Sequence, residues 1–156
     1  MNAAENLELA RPDVSGLFES VLAGGYSVRL QVTGRSMEPF LRGGEVLIIE
    51  PVEGRRLGVG DIVLFKDVHE HWIIHRVVRM RGGLIQTQGD ALNEPDAPVE
   101  IARLMGKVER VEGKGTSLDL ERWPQRLRGW FLARSRLWRR LLRRSRSLLG
   151  DRPERR

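Results

Sequence analysis

Between Tyr26 and Val111 the chain is cut into apolar stretches too short for ordinary helices, most of them ended by glycine-bearing turns. Tyr26, Val28, Leu30 and Val32 alternate with Ser27, Arg29, Gln31 and Thr33, the two-residue period of a half-buried strand. Further strands are expected over 45–50, 61–65, 72–80, 84–88 and 106–111. Arg42-Gly43-Gly44, residues 58–60, Arg81-Gly82-Gly83 and Asn93-Glu94-Pro95-Asp96 supply the turns. Such a run predicts a mainly β domain over 14–115, built as a partly closed barrel. A short helix is expected ahead of it over 16–23, capped by Asp13 or Ser15 and stopped by Gly24-Gly25. Its apolar face would hold Leu17, Phe18, Val21 and Leu22. Residues 1–13 read as a flexible N-terminus.

With 156 residues, the chain has room for that domain and one appendage. Its charge shows where the appendage begins. Residues 121–156 hold thirteen arginines against three acids, a net of +10, whereas residues 1–120 carry a net of −4. At about 100° per residue, Trp123, Leu127, Trp130, Phe131, Leu137, Trp138, Leu141, Leu142, Leu148 and Leu149 fall within an arc of about 140°. Leu132 lies opposite, and Arg134 and Ser145 intrude on the arc. A basic amphipathic helix is therefore expected over 120–150. Its composition suits a membrane interface or a protein partner. Packing of its apolar face on the β domain is the alternative, and nucleic acid is the least favoured partner.

Other classes are excluded. Without cysteine there is no disulfide scaffold, thiolate zinc site or cysteine nucleophile. No apolar run approaches the roughly 18 residues of a spanning helix. The first fourteen residues carry Glu5, Glu8 and Asp13 in place of a basic leader. A cytoplasmic protein, peripheral to the inner face of the membrane, is expected.

The chemistry must come from few residues. Ser36 follows the first strand in Gly34-Arg35-Ser36-Met37-Glu38-Pro39, where a loop serine can face a groove. Equally, the segment reads as a turn closed by Pro39. A serine hydroxyl needs a base to become a nucleophile. His75, inside Trp72-Ile73-Ile74-His75-Arg76-Val77-Val78, is the best placed, and an ordinary imidazole titrates near about 6.5. A half-buried structural histidine is the plainer alternative. His69 and His71 flank a hairpin tip, and no further ligand set at metal spacing follows them, so neither metal nor cofactor is expected. Lys66, at the end of a strand, is a second candidate base, though a solvated lysine is the simpler reading. Asp90 and Asp96 offer carboxylates to orient a histidine, or simply build a turn.

Taken together, these segments resemble the boxes of the type I signal peptidases, within the wider group that includes the self-cleaving SOS repressors. Ser36-Met37-Glu38-Pro39, Gly60-Asp61-Ile62-Val63-Leu64-Phe65, His75-Arg76-Val77, and Gly89-Asp90 with Asp96 six residues on follow the family's order, and Met105-Gly106-Lys107-Val108 closes the series. The resemblance spans residues 31–111, about half the chain. Histidine before Arg-Val marks the branch of the endoplasmic reticulum and archaea, where the bacterial branch has lysine. The resemblance implies Ser36 as nucleophile, His75 as base and Asp96 as orienting acid with Asp90 nearby. It further implies a shallow groove that takes a peptide as an extended strand. Oxyanion and substrate contacts would fall to the Ser36 N–H and to Thr33, Gly34, Met37 and Pro39. Membrane-bound members usually carry serine shortly before the nucleophile; here the run is Thr33-Gly34-Arg35, and no spanning anchor is evident.

The expected function is that of a serine endopeptidase acting on a peptide or protein substrate. A peptide-binding adaptor that kept the groove without turnover is the alternative. A self-cleaving repressor fits less well, because about 25 residues precede the first strand.

Overall fold

The computed structural model describes residues 12–113 and 115–121. Helix α1 (Pro12–Ala23) precedes eight strands: β1 (Val28–Gln31), β2 (Val46–Pro51), β3 (Ile62–Lys66), β4 (Trp72–Arg81), β5 (Leu84–Gln88), β6 (Val99–Glu100), β7 (Leu104–Gly113) and β8 (Thr116–Asp119). The fold is mainly β. All strands join one antiparallel sheet in the order β1-β2-β7-β3-β4-β5-β6, which stays open between its ends. Strand β7 organises it: β2 runs along one side, while the other side pairs with β3 in its first half and with β8 in its second.

α1 starts earlier than its apolar pattern suggests, with Pro12 in its first turn, where a missing N–H costs nothing. Asp13 and Ser15 consequently lie within the helix and not before it. The helix ends as expected. Gly25 takes a φ of 82°, its N–H donates to the Leu22 carbonyl, and the Tyr26 N–H reaches back to the Val21 carbonyl, which closes a Schellman turn. Leu22, Phe18 and Val21 pack on the sheet, whereas Leu17 and Tyr26 stay exposed. Gly106, under Leu22, leaves room for Ile49 and the Glu50 carbonyl of β2. A Cβ there would meet Ile49 Cγ2 at 2.5 Å and Leu22 Cδ2 at 3.6 Å.

Two hydrophobic clusters lie on opposite faces of β3. Ile62 and Leu64 join the larger cluster with Leu30, Met37, Leu41, Ile49 and Val108, while Val63 and Phe65 join the smaller one with Val77, Ile85 and Leu104. Covered on both faces, β3 is a continuous apolar run with no alternation. Strand β1 has one solvent face and alternates buried with exposed. Leu120 and Glu121, expected to open the basic segment, belong to the body. Leu120 packs on the larger cluster and donates its N–H to the Glu109 carbonyl, and Glu121 pairs with Lys107. The amphipathic pattern over 122–150 and residues 1–11 lie outside the described residues. No helix among the described residues is long and apolar enough to cross a membrane.

Candidate active site

Three segments, one of them β4, meet at one place. The first is the loop 33–41, pinned by Met37 and Leu41, whose side chains are buried in the larger cluster. Their backbones close the loop, with the Phe40 and Leu41 N–H groups donating to the Met37 carbonyl. Met37 thus has its side chain in the core beneath the loop. Ser36 is half-buried beside it, Gly34 is half-buried, and Thr33 and Pro39 are exposed.

The second segment is the turn after β5. Ala91 donates its N–H to the Ser36 carbonyl at 2.7 Å, which joins this turn to the serine loop. Gly89 lies at the junction. A Cβ on it would stand 2.8 Å from the Ser36 carbonyl oxygen, 2.9 Å from His75 Nε2 and 2.9 Å from Leu92 Cδ1. Those distances are shorter than carbon contacts allow, so the backbone passes between serine loop and histidine only as glycine.

Strand β4 is the third. Its successive residues point to opposite faces, so His75 falls in line with Ile73 and Val77, and Arg76 with Trp72 and Ile74. The His75 ring is buried, with Nδ1 2.7 Å from Asp96 Oδ2. A carboxylate at Nδ1 selects the tautomer of a neutral ring that carries its proton there, which directs the Nε2 lone pair to the Gly89 side. Asp96 Oδ2 also accepts from the Thr87 hydroxyl at 2.6 Å.

Asp90 does something else. Its two oxygens take Arg76 Nε and one terminal nitrogen at 3.0 and 2.7 Å, and both side chains are only 2% exposed. The second terminal nitrogen of Arg76 donates to the Gly60 carbonyl at 2.8 Å, and the guanidinium stacks over the Phe40 ring at 4.5 Å. The carboxylate grouped with the catalytic set in the sequence is therefore engaged by Arg76, and it is Asp96 that meets His75. Asp90 ties three of the boxes together from below: Gly60, Arg76 and itself.

Lys66 and Lys107 are both held by carboxylates. Lys66 pairs with Glu19 and, at 3.3 Å, with Glu70, and sits 5.0 Å from the Trp72 ring. The Glu19 hydrogen bond, partly opposed by burial and aided by Glu70, raises its pKa above the ordinary 10.5. Lys107 is buried against Asp61 and Glu121 and donates to the Arg56 carbonyl. His69 and His71 flank a turn in which Asp67 caps both backbone N–H groups and meets the His71 ring. Burial works against that carboxylate, but the two N–H donors and the ring hold its pKa below the ordinary 3.8. Among the described residues no cluster of three or more histidines and carboxylates could hold a metal.

Sequence reasoning passed over Arg76, Thr87 and the steric role of Gly89. A signal for the first was present. An arginine between Trp72-Ile73-Ile74 and Val77-Val78 must either point to water or find a buried carboxylate. Thr87 gave none, since threonine is an ordinary strand residue.

A family model described as "Signal peptidase, peptidase S26" matches residues 18–129 of the chain. No curated protein and no solved structure matches it.

Proposed function

The chain belongs to the signal peptidase family, peptidase S26, and from that premise we propose that it is a serine endopeptidase working through Ser36, His75 and Asp96, with histidine in the place of a lysine base. One observation carries the proposal: His75 Nδ1 lies 2.7 Å from Asp96 while Nε2 faces the spot beside Gly89 that the Ser36 backbone also borders. The lysines of the described body support it by their engagements. Lys66 is kept protonated by Glu19, and Lys107 is paired with Asp61 and Glu121.

In this mechanism the Ser36 hydroxyl attacks the scissile carbonyl carbon and its proton passes to His75 Nε2. Asp96 stabilises the resulting imidazolium through Nδ1–H. The C–N bond then breaks, Nε2 returns the proton to the leaving amine, and water releases the acyl group by the same steps reversed. Positioned proton transfer of this kind contributes about 10²–10⁴-fold. The oxyanion falls to the Ser36 N–H, because Gly34 has no side chain to offer. Asp90 and Arg76 hold the boxes in place. The basic, tryptophan-bearing segment past Glu121 is assigned to docking on an anionic surface.

The test is a mass-spectrometric comparison of lysate peptides treated with the protein or with its Ser36→Ala and His75→Ala variants. New termini are expected with the intact protein and with neither variant. A general-base mechanism requires turnover that rises with pH from the acid side; a flat profile from about pH 5 to 8 would exclude histidine as the base. Identical pools in all three samples, with and without anionic vesicles, would replace the peptidase by a peptide-binding adaptor.

A further inference from the structure

We infer that Thr87 is a positioning residue for the Asp96–His75 pair, an assignment that rests on the peptidase reading above. Asp96 arrives on a loop, and a carboxylate there can rotate unless something holds it. Strand β5 supplies three contacts. The Asp96 N–H donates to the Thr87 carbonyl at 2.8 Å, Gln86 Nε2 donates to the Asp96 carbonyl at 3.1 Å, and Thr87 Oγ1 donates to Asp96 Oδ2 at 2.6 Å. The first two hold the backbone of residue 96. Only the third holds its carboxylate.

The oxygen that receives the threonine hydroxyl is the one that receives His75 Nδ1. Two donors from neighbouring strands thereby fix one acceptor from two directions, and the direction of the imidazole follows. Thr87 is fully buried, so the hydroxyl stays directed at the carboxylate without competition from bulk water. It faces Val77 in the ladder, two residues along β4 from His75 and on the same face. A threonine needed only for packing could be valine, which has the same branched shape. The hydroxyl is the part that packing does not explain.

The experiment compares Thr87→Val, Thr87→Ser and the parent chain in two ways. Proton NMR of the full chain without substrate looks for the hydrogen-bonded His75 Nδ1–H, identified by its loss in His75→Ala. Steady-state kinetics uses the lysate peptide that the parent cleaves best. The serine variant should retain both the ring proton and kcat. The valine variant should lose the ring signal and drop kcat by about ten- to a hundredfold with KM held within about twofold. Thr87→Ala, which removes the hydroxyl without adding bulk, serves where valine prevents folding. A folded valine or alanine variant with the ring proton and kcat intact would overturn the assignment, as would a parent spectrum lacking that proton. Turnover that survives Ser36→Ala would sink the peptidase reading instead, and the ring proton would still judge Thr87.

Discussion

Asp90 and Asp96 come from one loop and meet adjacent residues of β4, yet they do opposite work. Asp90 lies under Arg76 in a bidentate pair sealed from solvent. Asp96 lies on the other face, partly exposed, with His75 on one side and Thr87 on the other. The difference follows from the pleat. Neighbouring strand residues point apart, so a carboxylate that reaches one cannot reach the other. A fully buried ion pair stabilises little by its own formation, because desolvation offsets attraction, but losing one partner strands a charge. A half-open carboxylate on a histidine costs little to alter structurally and much to alter chemically. One pair holds the loop to the strand, and the other is the pair through which the proposed mechanism moves a proton.

The sharpest way to break this contrast is Asp96→Asn. An amide presents Nδ1 with the wrong partner, and we expect kcat to fall by about 10³–10⁴-fold with a urea midpoint close to the parent's. Asp90→Asn should do the reverse. It leaves Arg76 buried with half its compensation, for about 3 kcal/mol or more of lost stability in urea unfolding. Residual turnover per folded molecule should stay well above that of Asp96→Asn. A variant of Asp90 that kept its stability and lost its chemistry would erase the division between the two.

Gly89→Ala probes the place where both halves meet. A methyl group there would press on the Ser36 carbonyl, His75 Nε2 and Leu92. We expect about 1–3 kcal/mol of strain and a loss of turnover larger than that destabilisation explains, measured on the same preparation.

The smallest effect belongs to the far end of β3. Lys66 is drawn above its ordinary 10.5 by Glu19, so the pairing stabilises at and below that pH and is lost as pH rises through the raised value. Glu19→Gln should cost up to about 1 kcal/mol near neutrality, and the gap between variant and parent should close at strongly alkaline pH. Turnover at neutral pH should not move, which separates this pair from the two near the serine.

Much of this was legible beforehand where a pattern is local. The strands expected over 45–50, 61–65, 72–80, 84–88 and 106–111 all appear within a few residues, because apolar periods and glycine turns act on neighbours in the chain. Strands β6 and β8 were not foreseen. Val99–Glu100 is two residues long and exists through its ladder to Leu84 and Ile85, and β8 exists as the hairpin partner of β7. Neither carries enough residues to show a period.

The order of the boxes, the family they point to and the choice of histidine over lysine beside Arg76 are properties of the sequence itself, because residue identity and spacing carry them. Which carboxylate serves which partner is not. That depends on where a loop returns after ten residues and on which face of β4 it lands, and no local rule sets either. The fold brought Asp96 to His75 and Asp90 to Arg76, put Met37 in the core, and passed Gly89 between Ser36 and the imidazole. Chain chemistry chose the groups; long-range packing decided which of them touch.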